Sequence, residues 1–116
     1  MHLNEYQKRA MSTAVYPRNL GLMYVGLKLA GEAGEFTDKL GKSFRDGSLA
    51  FYNDALGVPS HDLREALIGE LGDVLWYVAA GCAELHITMD QLAQRNLDKL
   101  SSRSMRGVLL GDGDDR

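Results

Sequence analysis

Only two prolines, Pro17 and Pro59, interrupt this chain of 116 residues, and around them apolar residues recur every three or four positions. No other feature narrows the fold as much. A proline inside a helix costs roughly 3 kcal/mol or more, whereas a period near 3.6 lays one apolar stripe along a helix. A first helix is predicted from about Leu3 to Val15, where Leu3, Tyr6, Ala10 and Ala14 share a face and Tyr16-Pro17 stops it. A second begins near Leu20 and carries Leu22, Val25, Leu29, Ala33, Phe36 and Leu40 as far as Asp46-Gly47. Residues 47–60, with Gly57, Pro59 and Ser60, read as a loop containing at most a short helical turn, and as a place for a substrate-covering segment. The third helix starts near His61 with Ser60 as its cap and runs through Leu63, Leu67, Leu71, Val74, Val78 and Cys82 to about Leu85. The fourth follows Thr88, which forms a capping box with Gln91, and continues to about Ser102. No useful strand-like alternation is present. The expected architecture is all-α, an antiparallel four-helix bundle-like domain over residues 1–106, with a glycine-rich acidic tail over 107–116 that is extended or mobile.

The second half of the third helix, Val74 to Ala80, is apolar nearly all round, and a surface helix needs only one apolar stripe. A domain this short buries only about two-thirds of its unfolded surface, so a homo-oligomer, dimer or tetramer, is expected. The net charge of −3 argues against a nucleic-acid or anionic-membrane partner. Cys82 is the only cysteine, so no internal disulfide can form, and its apolar setting suits a buried thiol in a reducing compartment. The run Val74–Ala80 falls well short of the roughly 18 residues of a membrane span. Met1-His2-Leu3-Asn4-Glu5 lacks the pattern of a signal peptide. The expectation is a soluble, cytoplasmic protein without a membrane partner.

Two short motifs carry the chemistry. Gly31-Glu32-Ala33-Gly34-Glu35 and Gly69-Glu70-Leu71-Gly72-Asp73 both space two acids three apart, which places each pair on one helix face. At about 100° per residue, Glu32 lies some 60° from Leu29 and Glu35 about 120° away, so both border the apolar stripe. Glu70, Asp73 and Tyr77 form a ridge beside Leu71. Packed side by side, the two helices would bring four carboxylates together. Like charges at a seam need a cation or raised pKa values, and hard oxygen donors favour magnesium, manganese or calcium over zinc. A bundle di-iron site would require Glu-x-x-His, which neither motif has. One acid-x-x-acid pair alone is normally a solvated surface. Two, each set among small residues at the edge of the core, favour metal. On the fourth helix Asn96, Lys99 and Arg103 share a face; alone they are an ordinary solvated row, but beside the acids they could hold phosphates.

These residues resemble the MazG-like family of all-alpha nucleoside triphosphate pyrophosphohydrolases. The resemblance covers Tyr6-Gln7 to Tyr16-Pro17, Leu27 to Glu35, Glu70 to Tyr77, and Asn96-Leu97-Asp98-Lys99-Leu100. It implies magnesium-dependent hydrolysis of a nucleoside triphosphate to the monophosphate and pyrophosphate, with manganese as a possible substitute, in house-cleaning of the nucleotide pool. It places Glu32, Glu35, Glu70 and Asp73 at the metal positions and Asn96 and Lys99 on the phosphate side. Arg103 matches more loosely, because Arg103-Ser104-Met105 stands where many members have Arg-Tyr-Pro. Compact members also end in a glycine-rich acidic segment similar to residues 111–116. Glu35, at the boundary of the cluster, is the choice for accepting the attacking water's proton. Tyr77 is a candidate for the nucleotide pocket, while Trp76 is expected to point away, into an interface or the core. The alternatives are a non-catalytic nucleotide- or metal-binding oligomerisation module, and a structural helical oligomer with solvated acids.

Overall fold

The computed structural model describes residues 1–52 and 55–116. Helix α1 spans Leu3–Met11, shorter than the periodicity predicts. The Ser12 and Thr13 hydroxyls donate to the carbonyls of Arg9 (2.6 Å) and Ala10 (2.7 Å), and such bonds compete with continuation of the helix. A 3-10 turn at Arg18–Leu20 then leads into α2, Gly21–Arg45. Tyr16 pins this junction. Its ring is buried, stacks on Tyr24 at 5.5 Å and meets Trp76 edge-on at 6.3 Å, while its hydroxyl donates to Glu84. At Gly21, where α2 starts, a β-carbon would come within 2.5 Å of the Glu84 carboxylate and would displace it.

Between α2 and α3 the chain forms two antiparallel strands of two residues, β1 (Phe51–Tyr52) and β2 (Ala55–Leu56), where a loop or helical turn is predicted. Strands this short leave no readable alternation. The expected covering segment includes residues 53 and 54, which lie outside the described residues. Helix α3 spans His61–Glu84, and the Ser60 hydroxyl accepts the Leu63 N–H as predicted. Helix α4 spans Met89–Met105 behind the predicted Thr88–Gln91 capping box.

Helix α3 is the central element. Helix α2 lies antiparallel along it, with Val25 against Gly81 near one end and Lys39 paired with Glu70 further along. Ala79 and Ala80, with no exposed surface, let α1 and α2 close on α3 from two sides. One small core gathers Ala10, Ala79, Cys82 and Met89, the other Tyr16, Val25 and Ala80, and Trp76 and Met11 bridge them. Burial pushes the Cys82 thiol pKa up, as befits an inert buried sulfur. By length and hydropathy α3 would suffice to cross a membrane, which the short run Val74–Ala80 does not suggest. Glu70 and Asp73 interrupt it, and its small-residue face is covered by protein.

Helix α4 is attached at its start. The Gln7 amide donates to the Ile87 carbonyl (3.0 Å) and accepts the Met89 N–H (2.9 Å), and Asn4 accepts the Asp90 N–H (3.0 Å). Helix α4 packs on α1 and α3, and its Leu92 lines an apolar groove together with Leu22, Val25 and Leu29 of α2. The closing segment departs from the extended form predicted for it. Residues 107–116 curl back in turns, with Gly107, Gly111 and Gly113 at φ of 72°, 131° and 82°. The Arg116 guanidinium closes the curl by donating to the carbonyls of Val108, Leu109 and Gly113.

Candidate metal centre

The seam between α2 and α3 brings three of the four predicted acids to one point. Glu32 faces across from α2, while Glu70 and Asp73 come from successive turns of α3, and one carboxylate oxygen from each lies within 4.8 Å of the others. Glu32 and Glu70 are half-buried and Asp73 is exposed. Two ammonium groups flank the trio: Lys28 stands 3.8 Å from Glu32, and Lys39 stands 3.1 Å from Glu70. Sequence reasoning missed Lys39. Its position four residues after Glu35, with Leu40 of the apolar stripe beside it, was the available signal.

Glu35 stands outside this trio. It is exposed, one turn beyond Glu32, and its charge assists Asp38 in holding the Lys42 ammonium pKa above its ordinary value. The physical reason is local: at the level of Glu70, the α2 side chain that reaches across the seam is Lys39.

Beside the trio lies an open cavity of about 350 Å³ lined by Thr13, Glu32, Asp73, Trp76 and Tyr77. Tyr77 is where the sequence analysis places it. Trp76 packs against both cores, as expected, and also walls the cavity, where its indole N–H donates to the Thr13 hydroxyl at 2.9 Å. The early end of α1 makes this possible, because it puts Thr13 in a turn beside α3. The Tyr77 phenol pKa is pushed up to about 12, mainly by burial, then by the adjacent Tyr24 and by the charges of Glu32 and Asp73. Tyr6 is raised too, by burial and then by Asp73. Both phenols therefore remain donors at neutral pH.

The α4 residues are elsewhere. Asn96 is exposed. Lys99 and Arg103 do converge, but on Asp114 of the closing segment: Lys99 Nζ is 2.9 Å and Arg103 Nη2 3.1 Å from the same carboxylate oxygen. Among the described residues, none of Asn96, Lys99 and Arg103 lines the cavity or pairs with an acid of the trio.

Three converging carboxylates with, among the described residues, two monovalent partners at the rim suit a hard divalent cation. The donor set is all oxygen, and an incomplete protein shell leaves places for water or phosphate. The comparisons with known proteins agree with this chemistry. The model of the MazG nucleotide pyrophosphohydrolase domain matches residues 24–107, which include all the acids of the trio and both cavity aromatics.

This chain belongs to the MazG family. Over 122 aligned positions that take in the whole of both chains, it is 43% identical to the "Gene 37 protein" of Mycobacterium phage L5. A crystal structure of iMazG from Vibrio DAT 722 superposes with a TM-score of 0.55, covering 90% of this chain and 97% of the other. At 24% identity that likeness speaks for the fold, and the MazG all-helical fold is what the helices described above form.

Proposed function

We propose that this MazG domain hydrolyses nucleoside triphosphates, ribo or deoxy, to the monophosphate and pyrophosphate with magnesium, and serves house-cleaning of the nucleotide pool in the cytoplasm. The observation that carries this reading is the convergence of Glu32, Glu70 and Asp73 beside a cavity walled by Trp76 and Tyr77. A cation held there supplies charge neutralisation of the triphosphate, polarisation of the α-phosphoryl group and a lowered pKa for an attacking water. Glu35, one turn from Glu32 and outside the trio, is a carboxylate left to accept the water's proton. Tyr77 keeps its phenolic proton and can donate to a bound nucleotide. The Trp76 and Tyr77 rings offer flat apolar surface to a base or sugar.

Phosphate binding by Asn96, Lys99 and Arg103 at the seam calls for another copy of the chain to bring its α4 there, since in one chain none of the three lines the cavity beside the acids. Self-association as a dimer or tetramer fits the surface. Leu22, Leu27, Leu71 and Leu85 are all at least half exposed. An almost wholly apolar groove of about 320 Å³ runs between Leu22, Val25, Leu29, Val78 and Leu85. The radius of gyration, 17.4 Å, also exceeds the roughly 13 Å of a compact domain near this length.

The test is a magnesium-dependent assay over canonical and modified nucleotides that identifies monophosphate and pyrophosphate separately. Release of both, abolished by chelation, is expected. Nucleotide binding without pyrophosphate release would instead leave a non-catalytic binding module. Sedimentation at micromolar concentration tests the assembly, and a purely monomeric protein would remove the route by which α4 reaches the acids.

A further inference from the structure

The closing segment is a folded element with a definite address. The side-chain partners of Arg103 both belong to Asp114: its Nη2 donates to the Asp114 carbonyl (2.6 Å) and to the Asp114 carboxylate (3.1 Å). Arg103 is only 6% exposed, and its Nε is buried without a partner among the described residues. Arg103 lies at the far end of α4, outside both core clusters, and the Val108 N–H returns to its carbonyl at 2.9 Å. Lys99 reaches the same carboxylate oxygen from one turn earlier. Two cations converging on one oxygen make the arrangement that binds a phosphoryl group.

We propose that Asp114 is the resident occupant of an anion site built by Lys99 and Arg103, so that docking of residues 107–116 and binding of a phosphate exclude each other. This rests on the reading of Lys99 and Arg103 as phosphate-binding residues, and adds that the chain supplies its own competitor. Two physical features make the contact displaceable. The Asp114 side chain is 78% exposed, so its ion pairs are weak individually. It brings one negative charge, against several on a polyphosphate. What favours docking is tethering, since a short connection gives a local concentration on the order of millimolar. The curl that aims Asp114 depends on Arg116, whose guanidinium ties three carbonyls, and on Gly111, where a β-carbon would press on the Arg116 chain at 3.1 Å. The Asp114 carboxyl pKa is held below its ordinary value by hydrogen bonds from Lys99 and then Arg103, so the stopper is charged at neutral pH.

The experiment measures inorganic pyrophosphate binding to the full chain by calorimetry, with chelator present so that the acid trio repels rather than recruits the ligand. Asp114→Asn should tighten binding by about tenfold, the effect of removing a millimolar tethered competitor. Arg116→Gln should act in the same direction by less, and Lys99→Gln should weaken binding. In the unmodified chain, saturating pyrophosphate should speed hydrogen exchange at residues 107–116. Unchanged or weaker binding in Asp114→Asn, no binding in any variant, or exchange in 107–116 that pyrophosphate leaves untouched would each overturn the proposal. If Asp114→Asn gains affinity while no nucleotide is hydrolysed, the anion site stands and the catalytic reading alone fails.

Discussion

At the seam between α2 and α3, three carboxylates stand within 4.8 Å of one another with an ammonium at either side, whereas at the far end of α4 two cations share a single carboxylate oxygen. The first cluster is left with one excess negative charge, and the second with one excess positive charge. The difference lies in what each region can still bind. A seam of like charges gains by taking up a divalent cation, while the α4 pair must first release a ligand it already has. The two regions also differ in support. The seam lies on α3, which both cores hold in place, and the α4 end projects beyond the contacts that fix the start of that helix.

The largest effect expected is loss of the cation site. Glu70→Gln or Asp73→Asn should lower magnesium or manganese affinity by more than the roughly 10–100-fold typical of removing a mere outer-shell group. Calorimetry reads this directly, and an unchanged affinity would reduce the seam to a solvated acidic patch. Glu35→Gln separates proton transfer from metal binding: turnover should fall by about 100-fold or more with metal affinity nearly unchanged. A parallel fall in both would return Glu35 to the ligand set. Gln7→Leu strikes at the attachment of α4, leaving the Ile87 carbonyl and the Met89 N–H without partners. A loss of about 1–3 kcal/mol on chemical denaturation is expected, with metal affinity retained, and loss of the metal site as well would show that the two regions are not independent. Lys39→Gln removes the ammonium beside Glu70 and should tighten cation binding a few-fold; weaker binding would mean that Lys39 positions Glu70 rather than competing for it.

The smallest effect is titration of the closing segment. Asp114 is lowered from 3.8 in the folded chain, so its contribution is fully present above that value and is lost as pH falls through the lower folded value. The carboxyl carbon signal of Asp114 should therefore stay constant from neutral pH down to the ordinary carboxyl range and shift only below it. A transition near neutrality would assign the docking to another group.

Much of this molecule is written locally. Ser60, Thr88 and Gln91 announce the starts of α3 and α4 because a cap needs only its own first turn. The pairs Glu32/Glu35 and Glu70/Asp73 are legible because helical spacing alone puts each pair on one face. The angular argument also places Tyr77 beside Asp73, and it lines the cavity. The same argument sends Trp76 to the core, where it packs, but misses the cavity it also walls, because a helical wheel does not know that Thr13, 63 positions earlier, waits there to accept its N–H. The hairpin at Phe51–Leu56 escapes for a different reason: two paired residues per strand carry no period.

The sequence by itself determined four helices, the caps of α3 and α4, the break at Tyr16-Pro17 and the acids available to a cation, since each depends on neighbours within a turn or two. Only the tertiary structure decided that Lys39, and not Glu35, reaches Glu70, and that Asp114 holds Lys99 and Arg103. Those outcomes depend on the register of α2 against α3 and on the fold-back of residues 107–116, and Coulombic partners chosen across such distances leave no trace in local spacing.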